Sequence, residues 1–290
     1  KLEDIQVYNM SIDYLVIVAL GMAFNFINPV FSTILNSAGN SMTPFKVNAV
    51  GLIANMILDP LLIFGFGPIP AYGIKGAAVA TVLAQIIVSL TFIYIGIRTN
   101  NLYSQVHLFK KPNFKYVGEI ARLGFPAFLQ TSAHSSISMT LTRIISQFGS
   151  VAIAAQSVGS KIESLSWMTA EGFSAAISAF MGQNYGAKKY DRINEGYRKG
   201  MTIVGGIGIF ASLLLILLPE PLFAIFIPDD PLAIAEGANY LRILGFSQFF
   251  MSIEIGTAGA YNGLGNTVPP ALVGVTFNLL RIPLAIYLSN

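Results

Sequence analysis

Asn48, Asn55 and Asp59 fall at i, i+7 and i+11 of an otherwise apolar stretch, a spacing that places them on one stripe of a helix. A carboxylate at membrane depth is costly unless it is protonated, paired or holding a cation, so Asp59 reads as an ion-handling residue. The competing reading is a helix end near the outer interface, because Pro60 follows at once. A second set, Gln156, Ser160, Glu163 and Trp167, follows i, i+4, i+7 and i+11. A carboxylate beside an indole can hold an organic cation through charge and cation–π attraction. Pairing of Glu163 with Lys161, Arg143 or Arg281 in an internal ion network is the alternative. A third set is the polar run from Gln130 to Ser138, where Gln130 and His134 stand at i and i+4. His134 could relay protons or meet a substrate, whereas the hydroxyls suit helix–helix contacts in lipid.

Other chemistries lack support. The chain has no HExxH, P-loop or GxSxG signature, only two histidines and no cysteine. An enzyme, an ATP-driven pump and a resident cofactor are therefore not expected. The net charge of +3, from 17 Lys+Arg and 14 Asp+Glu, is too small to suggest a nucleic-acid partner.

The elements that position these residues follow from hydropathy. Of 290 residues, 54% are hydrophobic and only 11% charged, with a mean hydropathy of +0.64. Soluble domains carry charge on roughly a quarter of their residues. A bilayer core needs about 20 apolar residues as a helix. Eight such runs occur, near 14–36, 46–65, 76–97, 119–146, 151–181, 201–218, 236–260 and 269–288. Their length and continuity exclude barrel strands, and the expected fold class is an all-α polytopic membrane bundle. Basic residues cluster in alternate connections: Lys46, then Arg98, Lys110, Lys111, Lys115 and Arg122, then Lys188, Lys189, Arg192, Arg198 and Lys199. The positive-inside rule puts those connections in the cytoplasm. The longest polar interruption divides the chain into 1–97, a linker over 98–118, and 119–290.

The sequence also repeats itself. At an offset of 226, residues 4–44 align without gaps on 230–270, with ten of 41 positions identical where about three would arise by chance. After a three-residue slip, Asn55 matches Asn278 and Pro60 matches Pro283. Spans one and two thus recur as spans seven and eight, in parallel orientation because six spans separate them. The arithmetic implies a parent of twelve helices, three preceding this chain and one following it. Gly39-Asn40 and Gly265-Asn266 are shared by both copies and read as helix stops. Asp59 is not shared, since its counterpart is Ile282.

These residues resemble the multidrug and toxic compound extrusion family. The most specific stretches are Gly39-Asn40-Ser41-Met42-Thr43-Pro44, Asn55 to Ile63, Gly73 to Thr81, Gly124-Phe125-Pro126, Gly182 to Ala187, and Arg281-Ile282-Pro283-Leu284. The resemblance covers essentially the whole chain, as helices four to eleven of a two-lobe, twelve-helix fold. It implies a multi-pass protein of the cell membrane, of the prokaryotic inner membrane by the branch it resembles. Bulky, often cationic and aromatic drug-like molecules would be exported by alternating access, in exchange for H⁺ or Na⁺. The only other partner expected is membrane lipid, with the protein a monomer. The family's Asn-x-x-x-Asp pair falls on Asn55 and Asp59, so Asp59 is the place for a coupling Na⁺ or proton, and a family Thr falls on Thr81. The resemblance also implies a drug cavity, to which the residue readings would contribute Gln130, His134, Gln156, Glu163 and Trp167. A lipid-linked oligosaccharide flippase of the same superfamily, or a non-transporting membrane scaffold, are the rival functions. The flippase would line its cavity with more cations than Lys161, Arg143, Arg242 and Arg281 supply, and the scaffold leaves Asp59 unexplained.

Overall fold

A computed structural model describes residues 5–98 and 113–289. Asp4, His107, Lys110, Lys111 and positions 99–112 of the expected linker lie outside the described residues. Each of the eight apolar runs is helical. The elements are α1 (Ile5–Leu20), α2 (Met22–Ser37), α3 (Met42–Phe64), α4 (Ile74–Arg98), α5 (Phe114–Ile145), α6 (Ser150–Gly186), α7 (Tyr190–Leu217), a short α8 (Pro219–Ala224), α9 (Pro231–Gly263) and α10 (Val268–Ser289). No strand occurs among the described residues beyond an isolated Phe66–Ile69 bridge in the turn after α3. The fold is a helical membrane bundle.

Four described helices are individually long and apolar enough to cross a membrane: α3, α4, α7 and α10. A fifth span forms if α1 and α2, bent by 48° where they meet, are taken together. The remaining long helices, α5, α6 and α9, have 32, 37 and 33 residues and fall short by composition, not length. Polar residues thin their apolar content: the Gln130–Ser138 run on α5, Lys161, Glu163 and Glu171 on α6, and Glu236, Arg242 and Glu254 on α9. In a membrane bundle, ionisable residues on spanning helices face the protein interior or a wet cavity.

The helices sort into two compact units, Lys1–Lys111 and Pro112–Asn290. In the first unit, α4 is the central helix, packed against α1, α2 and α3. A buried apolar cluster of Leu35, Val47, Val88 and Phe92 joins α2, α3 and α4. Beside it lies one fully satisfied polar group. The Asn28 amide on α2 donates to the backbone and side-chain oxygens of Gln85 on α4, at 3.0 and 2.8 Å, and accepts from Ser89 Oγ at 2.6 Å. Leaving such buried partners unmade costs about 1–3 kcal/mol each. Asn28→Leu is therefore expected to lower the thermal midpoint of the purified protein clearly, whereas Asn28→Gln, which keeps the amide, should recover part of the loss.

In the second unit α9 is the hub, seated between α6 and α7, while α10 packs on α5. Phe223 and Leu241, both fully buried, anchor the apolar cluster under α8.

The sequence repeat is also a structural repeat. Adding 226 to the bounds of α1–α2, 5 and 37, gives 231 and 263, the bounds of α9; adding it to Met42 gives Val268, where α10 begins. The stops between them match bond for bond. Asn40 N donates to Leu35 O and Gly39 N to Asn36 O, as Asn266 N does to Tyr261 O and Gly265 N to Asn262 O. Gly39 and Gly265 take φ values of +83° and +77°, the left-handed conformation that this helix-ending motif requires and that glycine adopts without strain.

Candidate functional site

The first-unit residues sit on two adjacent helices. Asn55 and Asp59 lie on α3 and Thr81 on α4, all three half-buried. The two helices run antiparallel, with Gly51 seated on Val88 and Gly76 on the carbonyl of Leu62, so facing residue numbers sum to 138–139. That register sets Val79 and Ala80 level with Asp59, with Thr81 one residue further along α4, and Ala84 level with Asn55. The three residues are thus brought to one side-by-side stretch of α3 and α4.

Their hydrogen bonds are less tidy than the spacing suggested. The Thr81 hydroxyl donates at 3.0 Å to Ala77 O on its own helix, not to Asp59. Asn55 Nδ2 is buried and has no acceptor among the described residues. Asp59 makes no hydrogen bond or ion pair with any described residue. The third member of the stripe, Asn48, bonds instead to Ser32 Oγ of α2 at 3.4 Å, a packing contact. Asp59 stands five residues before the end of α3, about 7.5 Å along the axis. The carboxylate is therefore close to an end of its helix, yet on a helix with no other acidic residue and only Lys46 as a basic one.

In the second unit the expected residues separate by role. Gln130 of α5 lies against Gly274 of α10, where a Cβ would overlap its amide, so it packs two helices together. His134 is exposed on the same helix and has no described partner. Gln156 of α6 donates to Thr142 Oγ1 of α5 at 3.4 Å. Trp167 is 40% exposed, one helical turn beyond Glu163. Glu163 is half-buried and forms no ion pair among the described residues; its partner is the neutral amide of Gln248 on α9, with Nε2 donating at 3.2 Å. The internal network with Lys161, Arg143 or Arg281 is absent among those residues, where the three ion pairs are Asp13–Lys75, Glu195–Lys199 and Glu220–Arg242.

Gln248 was not among the residues singled out from the sequence. It is fully buried, and its Oε1 has no donor; Ser252, one turn further on and equally buried, and Ser166 of α6 have unpartnered hydroxyls. Contacts along α6 and α9 recur at separations of 81 to 85, from Gly159–Tyr240 through Glu163–Gln248 to Ser178–Gly263. On that ladder Ser166 lies at the level of Gln248, so two unsatisfied polar atoms and one carboxylate share one level of the seam, while Ser252 faces α7, where a Cβ at Gly208 would lie 2.9 Å from its Oγ. A signal for them existed. Gln248 and Ser252 stand opposite Met22 and Phe26 in the repeat, and searching for asymmetric polar residues rather than only ionisable ones would have found them. Among the described residues no group of three His, Cys, Asp or Glu could hold a metal ion.

Comparisons with known proteins fit this architecture. The "Probable multidrug resistance protein NorM" of Thermotoga maritima is 31% identical over 274 residues, covering 94% of this chain and 59% of that protein. The "FAD transporter" of Shewanella oneidensis is 27% identical over 256 residues, covering 87% of this chain and 56% of that protein. The chain thus spans somewhat under three-fifths of the length of these two relatives. A solved structure described as the outward-facing conformation of a multidrug resistance MATE family transporter superposes with a TM-score of 0.85 at 20% identity, over 94% of this chain and 60% of that one. The MatE family pattern itself matches residues 2–61 and 126–287, which include α1–α3 with Asp59 and α6–α10 almost entire. With its repeat, its helical bundle and this match over more than half its length, the chain belongs to the MatE family of membrane transporters.

Proposed function

We propose that the protein is a secondary antiporter that exports bulky organic compounds, often cationic and aromatic, in exchange for H⁺ or Na⁺, with Asp59 as the coupling carboxylate. The carrying observation is Asp59 itself: half-buried, the one acidic residue of α3, without partner among the described residues, and replaced by Ile282 in the repeat. A group of this kind is at home only when it exchanges between a charged, ion-binding form and a neutralised one. Asn55, with its buried donor free among the described residues, is placed to receive whatever acceptor completes the site, and Thr81 supplies a hydroxyl one residue along α4 from the level of Asp59. Each inward elementary charge would supply about 2.3 kcal/mol per 100 mV of membrane potential. Rocking of two lobes, 1–97 and 119–290 with 98–118 between them, would expose a cavity alternately to each side. The protein would act as a monomer in the cell membrane of a prokaryote, with membrane lipid as its surroundings and no further cofactor.

The second unit would contribute to substrate binding. Glu163 has no neutralising cation among the described residues, and Trp167 stands one turn away on the same helix. Gln130, His134 and Gln156 add polar groups on α5 and α6. A charged hydrogen bond is worth about 1.5–3 kcal/mol. Glu163→Gln is therefore expected to weaken apparent affinity for a cationic dye by about tenfold or more, with little change for an uncharged substrate; equal effects on both would remove Glu163 from the cavity. The test of the function as a whole is ethidium efflux from everted vesicles carrying the full-length protein. Efflux should rise on imposing a Na⁺ or pH gradient. Efflux that ignores both gradients would overturn the antiport reading.

A further inference from the structure

Three helices of the chain end with the same pair of backbone bonds, and at one of them a lysine stands where the others have glycine. Lys188 N donates to Tyr185 O at 3.0 Å and Lys189 N to Asn184 O at 2.9 Å, the pattern that Gly39 and Asn40 make with Asn36 and Leu35, and Gly265 and Asn266 with Asn262 and Tyr261. Lys188 therefore holds the place of Gly39 and Gly265. Its φ is +56°, and no other non-glycine among the described residues has a positive φ. A side chain in the left-handed region costs free energy that glycine avoids. The helix stop itself would be served better by glycine, so the strain is kept for the lysine side chain.

Lys188 opens a corner of unpaired positive charge between α6 and α7. Lys189 follows it and Arg192 stands one helical turn further on; all three are exposed, and none forms an ion pair among the described residues. The nearby acids are engaged elsewhere. Glu195 pairs with Lys199 at 2.6 Å, and Asp191 and Glu195 border an open hollow of about 430 Å³ with Asn194, Arg198 and Lys199, which none of the three cations lines. The Arg192 guanidinium lies over the Phe180 ring of α6, 5.9 Å from its centre. That ring is seated on Gly196, four residues before the uncharged stretch from Gly200 to Leu217. The guanidinium is thus held about 6 Å outside the apolar part of α7, the depth of lipid headgroups. Tyr185 and Tyr190, both exposed, flank the corner in sequence with their rings edge to face and 6.3 Å apart. Tyrosines of this kind gather where a membrane meets water. Topology alone does not account for the arrangement, because the positive-inside rule counts the charges of a connection and is indifferent to the backbone that carries each.

We propose that Lys188, Lys189 and Arg192, with Tyr185 and Tyr190, form a docking site for the phosphate of an anionic phospholipid at the membrane surface. Charge and depth both suit that occupant. A guanidinium already stacked on a ring loses little freedom when its planar fork takes two phosphate oxygens, and the lysines meet the remaining charge. The tyrosine rings offer apolar area to the glycerol region of the same lipid. The site lies within the second unit and does not depend on Asp59 or on the coupling ion.

The test is native mass spectrometry of the detergent-purified full-length protein, titrated with phosphatidylglycerol or with phosphatidylcholine. A cation near an anionic headgroup contributes a factor of about five in affinity, so Lys188→Gly should weaken binding of the first phosphatidylglycerol about fivefold. Combining it with Lys189→Gln and Arg192→Gln should weaken that binding about a hundredfold, with phosphatidylcholine unaffected. Lys188→Gly also relieves the backbone, so its thermal midpoint in detergent should be equal to the parent's or higher, and weaker lipid binding is then no symptom of a damaged fold. Lys199→Gln removes the same charge from the same connection, but from the pair with Glu195, and should change phosphatidylglycerol affinity by less than about twofold. Unchanged phosphatidylglycerol affinity in Lys188→Gly would overturn the site, as would an equal loss in Lys199→Gln or an equal loss toward phosphatidylcholine. Displacement of the bound lipid by inorganic phosphate would overturn it as well, by assigning the corner to a soluble anion.

Discussion

Asp59→Asn in the full-length protein is expected to reduce gradient-driven efflux of a cationic dye by at least tenfold while leaving the amount of folded protein in the membrane unchanged. The two halves of this expectation have separate physical grounds. Asparagine keeps the shape of the side chain but cannot ionise, so it can neither carry a proton nor offer a negative charge to Na⁺. The fold should survive because nothing described is bonded to Asp59: the substitution breaks no hydrogen bond and no ion pair, and it removes a charge from an apolar helix. Taking a charge out of a spanning segment is favourable or neutral for insertion. The contrast with Asn28 is useful, since that residue holds three buried bonds and its loss should appear first as lost stability. Efflux from everted vesicles, normalised to protein recovered by size-exclusion chromatography, separates the cases. Retained efflux in Asp59→Asn would dismiss the coupling role. Lost efflux with lost protein would assign Asp59 to the fold instead. Asp59→Glu, which keeps the charge but lengthens the side chain, should retain part of the activity if ionisation is what matters.

The sequence exposed the backbone of this protein more clearly than its contacts. Helix bounds repeated at an offset of 226 because the stops are made locally: Gly39 and Gly265 terminate their helices through bonds within six residues, and six residues are easily read in a sequence. Asp59 was legible for a similar reason, as a charge in an apolar run with no counterpart in the other copy. What escaped was set by neighbours distant in the chain. Asn28 is bonded to a residue 57 positions away, and Gln248 to one 85 away, so their burial depends on which helices meet. The spacing on α3 makes one stripe of Asn48, Asn55 and Asp59, yet packing against α2 takes Asn48 out of it, and the Thr81 hydroxyl turns back onto its own helix. Likewise the cations near Glu163 in the sequence are not its partners, because an amide on α9 reaches it first.

The seam between α6 and α9 carries the other large expectation: Gly263→Leu should prevent the second unit from folding, and Gly263→Ala should lower its stability by about 2–3 kcal/mol. A Cβ at Gly263 would overlap the carbonyl oxygen of Ser178 and lie 2.8 Å from its Cα, so the obstacle is backbone on both sides. A side chain could rotate away; two helix backbones cannot separate locally without opening the contacts above and below. Those contacts are equally close. Gly259 faces the Ser174 backbone, Ser174 Oγ donates to Ile255 O at 2.8 Å, and a Cβ at Gly182 would meet Gly263 O at 3.0 Å. Small residues allow this approach in membranes, where packing and interhelical hydrogen bonds replace the hydrophobic effect as the source of association. Forcing added atoms into a packed interior costs about 1–3 kcal/mol even where side chains can yield. The first copy of the repeat has Ser37 at this position, which shows that the glycine serves the α6 contact and not the helix stop that follows. Gly206→Ala on α7 is the control, because a Cβ there meets nothing within 4 Å and should be neutral or stabilising. Thermal midpoints and monodispersity of the three variants make the comparison. Wild-type stability in Gly263→Leu would mean that α6 and α9 do not approach so closely, and the level of the seam holding Glu163, Ser166 and Gln248 would then have to be redrawn with it.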